Sequence, residues 1–445
     1  MTQADQPRAG QDPLSADPPA TPEPQGRPIR SQTSMFVSNP GLWQPGITTN
    51  WFLDEPVTTQ VVEPGIVLPM RPRAGTNHYE GGVCTGDGAF LAGHTRHRVK
   101  SAVHGFSCSW SYPVPADIAF VDETVIFGGV LYNHFGHTMA ESLGRIWWCV
   151  EHMDNDSKVV FVTNRDRLHY PDFLVMAGID KERLMVINEP TRFASIIVPD
   201  PSYYFREGYT DKAMVVYDAI RDAVAPADYK KVYLTRTQLP QDNLVGEQYF
   251  EDYYRSRGYE VIAPERLTIP QQIAVISGAR EIACVSGTLP HFVLFAHEGV
   301  ELTILSREEG PNTSQPWMNQ ARQVQCTVVD VNMTFLPSFA RPTSFLIAQT
   351  PQWEQYRLAV GDAGEQPSVN PEDILAYLEK WTKNALTHSP ESLASYLNGF
   401  TMADLLIALS RSLMHQELSE TERRDLIAAF PSPKQLQATL AAALG

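Results

Sequence analysis

Three stretches of the chain concentrate the residue types that acid–base or anion chemistry needs. The first is Tyr132-Asn-His-Phe-Gly-His-Thr-Met-Ala-Glu-Ser-Leu-Gly-Arg145. His137, Glu141 and Arg145 recur at i, i+4 and i+8, which on a helix puts them on nearly one face. Asn133 and His134 fall in the turn before that helix. Asn, two His and Gly between an apolar strand and a helix suit a general base or ligand contacts. The same spacing also suits a capped, solvated helix with a Glu–Arg pair. The second stretch, Val232-Tyr-Leu-Thr-Arg236, is an apolar strand ending in arginine. At the C-terminal end of a parallel strand an arginine faces the ligand crevice, and its planar donor fork fits a phosphate. The plainer reading pairs Arg236 with Asp242 or Glu247 at the surface. The third stretch runs from Ile282 through Ser286, Gly287, Thr288, Pro290 and His291 to Phe295. It reads as strand, turn and helix. Backbone N–H groups at a helix start, with two hydroxyls beside them, make an anion site. Gly287 allows close backbone approach. The alternative is a simple N-cap.

Other signals carry less. Asp154-Asn-Asp156 has a metal-binding spacing but precedes the strand at 159–162, away from the crevice end, so no metal site is expected there. His94, His97 and His104 lack a nearby Cys or acidic partner and read as loop. Trp147-Trp148 reads as core or domain-interface packing.

The elements that must hold these residues alternate between strand and helix. Apolar runs predict strands at 118–121, 125–130, 159–162, 184–187 and 195–198, with helices at 137–152, 172–177 and 212–225. A second alternation follows, with strands at 231–235, 260–263, 281–285 and 301–305 and helices at 246–256, 270–278 and 289–296. Such alternation implies βαβ units and parallel sheets. The expected fold is α/β, with two Rossmann-like domains facing a cleft and a small C-terminal α-helical appendage. The expected boundaries are a disordered tail at 1–34, a first domain with an irregular β lead-in at 35–225, a second at 226–360, and the appendage at 361–445. The appendage reads as helices at 371–386, 390–397, 401–413, 419–429 and 433–444.

The 445 residues are 43% apolar, enough for sizeable cores, and carry a net charge of −16 that argues against non-specific nucleic-acid binding. Five scattered cysteines are too few for a disulfide scaffold and read as buried, reduced thiols of a cytoplasmic protein. Residues 1–30 hold seven prolines and no apolar signal-peptide core, and no run is long enough to span a bilayer. A membrane role would therefore be peripheral, at the inner face.

Taken together, the stretches resemble glycosyltransferase family 61, a GT-B type group whose bacterial members are often linked to capsular polysaccharide synthesis. The resemblance rests on Asn133 with the Phe135-Gly136-His137 step, Glu141 and Arg145, then Thr235-Arg236 and Glu247. It continues through Gly258-Tyr259, Pro264-Glu265, Leu267 and Gln272, and ends on Gly287-Thr288 before Phe295-Ala296. Gly246 stands where the family has Asn, and Ser286 where many members have His. The resemblance spans roughly residues 115–310.

The resemblance implies an inverting transferase that uses a UDP-sugar and no metal or other cofactor. The acceptor would be a glycan or a lipid-linked glycan. The first unit would supply the base, either His137 oriented by Glu141 or Glu141 held by Arg145; the nearer-neutral pKa of histidine favours His137. Donor contacts would come from Arg236, Ser286, Gly287, Thr288 and His291, with Glu265 on the ribose, and Asn133, Arg145 and Glu247 in support. Two other readings use similar parts: a pyruvyltransferase fed by phosphoenolpyruvate, and a non-catalytic glycan-binding scaffold.

Overall fold

In the computed structural model, the described residues are 31–392, apart from 73, 75–78, 92–105, 108–111, 166, 205–206, 240–242, 337, 339–342 and 366–368. Two sheets dominate. The second by sequence is six-stranded and wholly parallel, in the order Gln32–Phe36, Gln325–Asp330, Glu301–Ser306, Glu281–Val285, Lys231–Leu234, Glu260–Ile262. Counted by sequence from Lys231, the order is 2-1-3-4-5, with Gln32–Phe36 added beyond the fifth strand. Its direction of growth reverses between Lys231–Leu234 and Glu281–Val285, and a crevice opens outside the C-terminal ends of strands at such a reversal. Thr235-Arg236 and the Ser286–Thr288 turn leave the sheet at this point.

The first sheet is eight-stranded and mixed. Thr191–Pro199, Ala119–Leu131, Lys158–Thr163 and Leu184–Val186 run parallel, whereas Gly65–Pro72, Tyr79–Thr85 and Thr59–Val62 add antiparallel pairings. The parallel strands carry the continuous apolar runs expected of strands covered on both faces: Val125, Ile126, Phe127, Val159, Val160 and Phe161 are all fully buried. One apolar core joins the two sheets. It includes Ile126, Leu131 and Phe161 of the first and Val232, Leu234 and Ile282 of the second. Phe173 stacks on Phe295 across it, with ring centroids 5.6 Å apart.

Several expectations need correction. The strands at 118–121 and 125–130 are one thirteen-residue strand, Ala119–Leu131. Its register shifts between Val121 and Thr124, so the exposed Asp122 and Glu123 are accommodated without ending the strand. The helix at 137–152 is not continuous. Phe135–His137 is a single α turn, Thr138–Ser142 a π turn, and helix resumes only at Trp147–Glu151. The Gly144 carbonyl is taken by the Ser202 N–H at 2.7 Å, which diverts it from the helical ladder. Leu289–Phe295 is 3₁₀ helix. The tail boundary at 34 is too late, because Gln32–Phe36 is a strand paired residue for residue with Gln325–Val329. Gln32–Phe36 thereby joins the second sheet.

The appendage's first helix, Pro371–His388, buries Tyr377, Trp381 and Ala385 against Val245, Leu346 and Met333. The helices expected at 401–413, 419–429 and 433–444, and most of 390–397, lie outside the described residues, as do residues 1–30, His94, His97, His104 and Cys108. Cys84, Cys149, Cys284 and Cys326 are buried, and burial pushes the Cys149 and Cys326 thiols up to about 12. Trp147 and Trp148 are buried as expected. Among the described residues no helix is long and apolar enough to cross a membrane.

Candidate active site

The strand Ala119–Leu131 delivers the chain into the Tyr132–Asn133–His134 turn. The Asn133 N–H donates to Asn164 Oδ1 at 3.0 Å, tying this turn to the loop after the neighbouring strand. His134 caps the next turn: its Nδ1 accepts the His137 N–H at 3.3 Å, so a neutral His134 ring carries its proton on Nε2. His137 Nδ1 lies 2.7 Å from Glu141 Oε1. The Glu141 side chain is 5% exposed and that of His137 34%. A carboxylate only accepts, so the proton between them sits on Nδ1 and leaves Nε2 as the basic nitrogen. The π turn keeps the i, i+4 contact, and the Tyr217 hydroxyl anchors it from below by donating to the Met139 carbonyl at 2.7 Å. Arg145 departs from the expected common face. It lies beyond the π turn, and its buried guanidinium donates to the Pro199 carbonyl.

On the second sheet, Arg236 follows Leu234 by two residues and its backbone is clamped. Both Glu247 oxygens accept the Arg236 N–H at 3.1 Å, and Glu247 Oε1 also accepts the Tyr233 hydroxyl at 3.1 Å. Gly246 makes this possible. Its φ of +91 starts the helix Glu247–Ser256 where a Cβ would strike the Ile347 carbonyl. One turn on, Glu251 Oε2 accepts the Thr235 and Thr237 hydroxyls at 2.8 Å each. Burial alone would raise the Glu251 pKa, but bonds from Thr237, Thr235 and Arg255 outweigh it and hold the carboxyl below its usual range. Glu251 was not singled out from sequence; its place one helical turn after Glu247, beside two threonines flanking an arginine, was the available signal.

In the third stretch, Gly287 has φ +131. A Cβ there would lie 3.1 Å from the Arg307 guanidinium. Arg307 is a second cation that sequence reading missed. It follows the strand Glu301–Ser306 as Arg236 follows its own strand, and its N–H donates to Ser286 Oγ at 3.1 Å.

These pieces meet at a cleft of about 660 Å³ between the sheets. His134, Phe135, Gly136, Tyr170 and Asp172 line it from the first sheet, and Arg236, Glu265, Thr288 and Phe292 line it from the second. The two turns touch: a Cβ on Gly136 would lie 3.0 Å from Thr288 Oγ1. Of the expected donor residues, Arg236, Glu265 and Thr288 line this cleft. His137, Glu141, Ser286 and Gly287 do not line it; the His137 side chain is 34% exposed, and its ring centroid lies 4.6 Å from that of His134, which does. His291 is buried instead, with Nδ1 2.8 Å from Gln315 Oε1. The Gln315 amide donates to Asn319 Oδ1 and to the Pro290 carbonyl, so its oxygen must accept from His291 Nδ1–H. Burial chiefly pushes the His291 pKa down to about 4, so the ring is neutral. Among the described residues no group of three His, Cys, Asp or Glu is placed to hold a metal.

A search of curated proteins returns no match. Residues 135–303, from the first residue after the His134 cap to the strand before Arg307, match the family model described as Glycosyltransferase 61. Over those residues the chain is similar to the glycosyltransferases of family 61.

Proposed function

We propose that the protein transfers a sugar, with inversion, from a UDP-sugar to a glycan or lipid-linked acceptor during surface or capsular polysaccharide synthesis. In this reading the two sheets are the Rossmann-like halves of a GT-B-like enzyme working in the cytoplasm or at the inner face of the membrane. One observation supports it: His134–Gly136, Arg236 and Thr288, each just after the C-terminal end of a parallel strand in one of the two sheets, line one cleft.

The reaction makes two demands, and the residues divide between them. The acceptor hydroxyl must lose a proton as its oxygen attacks the anomeric carbon. His137 Nε2 takes that proton, and Glu141 stabilises the imidazolium through Nδ1–H. On the opposite face of the sugar the bond from the anomeric carbon to the diphosphate oxygen breaks. The leaving negative charge is met by the Arg236 guanidinium and the N–H groups of the Gly287–Thr288 turn. Glu265 suits the ribose hydroxyls. A cation and a backbone anion site in these positions supply the charge stabilisation for which other transferases use a divalent metal, so the proposed reaction needs none.

The test is UDP release from a panel of UDP-sugars by the full chain in excess chelator, with phosphoenolpyruvate as a parallel substrate. Turnover of a UDP-sugar in chelator, and its loss in Arg236→Ala with roughly 2–5 kcal/mol weaker UDP binding, is the expected result. Turnover of phosphoenolpyruvate alone would establish the pyruvyltransferase reading. Glycan binding without turnover of either would establish a scaffold.

A further inference from the structure

The loop leaving the strand Lys158–Thr163 reaches the same cleft at Tyr170 and Asp172. Tyr170 has φ +52 and ψ 49, the left-handed region. That region is unfavourable for a residue with a Cβ and is normally filled by Gly, Asn or Asp. The residue before a proline is also pushed toward extended backbone, and Pro171 follows. The turn itself asks only for the Tyr170 carbonyl, which accepts the Phe173 N–H at 3.3 Å. Any residue could do that; the ring itself packs at the edge of the core that joins the two sheets and leaves part of its surface to the cleft. Its ring is half-buried and stands at 75° to that of Phe135, centroids 5.2 Å apart. The phenol has no hydrogen-bond partner among the described residues, and the exposed Asp172 carboxylate lies two residues on along the same wall. Backbone held in a disfavoured conformation beside a binding cleft points to use of the side chain it presents.

We propose that Tyr170 and Asp172 form the acceptor subsite and take a neutral pyranose ring. The inference rests on the glycosyltransferase reading and adds the acceptor class to it. An aromatic ring covers the apolar C–H face of a sugar, and a carboxylate accepts hydrogen bonds from its hydroxyls. Both residues come from the sheet that carries the His137–Glu141 pair, across the cleft from Arg236. Asp172 on one wall and Glu265 on the other disfavour an acidic sugar by like-charge repulsion.

Saturation-transfer NMR on the full chain with UDP present tests this. The probes are the methyl β-glycosides of glucose, galactose and xylose, with methyl galacturonoside as the anionic counterpart. At least one neutral glycoside should bind, more tightly than the uronoside. Tyr170→Phe should retain that binding. Tyr170→Gly suits the backbone but removes the ring; at a temperature where the variant is folded it should weaken glycoside binding about tenfold with UDP affinity unchanged. Asp172→Asn should narrow the gap between uronoside and neutral glycosides. Wild-type glycoside binding in Tyr170→Gly, no neutral glycoside binding, or preference for the uronoside would overturn the subsite. UDP affinity measured on the same samples keeps the two levels apart. Wild type that binds no UDP contradicts the transferase reading itself, whereas intact UDP binding with Tyr170-independent sugar contacts overturns only the subsite.

Discussion

Glu247→Ala removes the acceptor shared by the Arg236 N–H and the Tyr233 hydroxyl. Three contacts of 3.1 Å are lost at a carboxylate only 4% exposed, and Tyr233 is fully buried. Depriving a buried polar group of its partner costs about 1–3 kcal/mol, so two such groups sum to roughly 2–6 kcal/mol of stability. Glu247→Gln keeps one acceptor oxygen and loses the charge assistance, a loss of about 1 kcal/mol. The functional consequence follows from what the clamp holds. Arg236 extends into the cleft from a backbone fixed at its own N–H, so a freed backbone lets the guanidinium wander from the diphosphate. We expect UDP affinity to fall about tenfold in the Gln variant and on the order of a hundredfold in the Ala variant. Calorimetric UDP titration, run beside thermal melts at a temperature where each variant is folded, separates the two effects. A folded Glu247→Ala protein with a lowered melting temperature and wild-type UDP affinity would refute the reasoning and leave Glu247 a purely structural residue.

The remaining expectations concern other parts of the same assembly. His137→Ala and Glu141→Ala should each lower turnover about 10²–10⁴-fold, and the double variant should be hardly worse than either single one, because a bonded pair acts as one base; multiplicative losses in the kinetics would separate their roles. His291 is neutral in the fold, with a pKa near 4 against 6.5 when unfolded, so the unfolded chain protonates first as pH falls. Its contribution is complete above about pH 6.5 and disappears toward pH 4. That gap corresponds to roughly 3 kcal/mol, and His291→Leu should flatten this part of the melting profile; an unchanged pH dependence would count against it. A chain beginning at Val37 should melt several degrees below one beginning at Ser31, since it lacks the edge strand Gln32–Phe36 and the Phe36–Tyr356 ring contact. Equal melting temperatures would show that the strand contributes little.

How far the sequence foretold this molecule depends on the distance over which each feature is decided. Strands such as Glu281–Val285 and helices such as Ala213–Asp222 are set by local apolar period, and their expected positions agree with the structure to within three residues. The segment after His137 departs from its helical period, which is real, because the π turn and the loss of helix at Gly144 depend on Ser202, far along the chain. Gln32–Phe36 looked like tail because its polar composition says nothing of a partner strand some 290 residues away. The same distinction holds within the site. Arg236, Glu265 and Thr288 were legible as residues ending strands or opening turns. The burial of His291 was not, since Gln315 and the core around it are remote in sequence. Tyr170 gave no signal, because a left-handed tyrosine before proline is what local preference argues against.

The central claim is that this cleft holds the diphosphate of a nucleotide-sugar between the two sheets. A crystal structure of the full chain soaked with UDP addresses it most directly. The diphosphate should lie within hydrogen-bond reach of the Arg236 guanidinium and of the Gly287–Thr288 backbone, with the ribose toward Glu265 and the His134–Gly136 turn across the cleft. UDP bound away from the reversal point between Lys231–Leu234 and Glu281–Val285, or a cleft without nucleotide at saturating UDP, would contradict it.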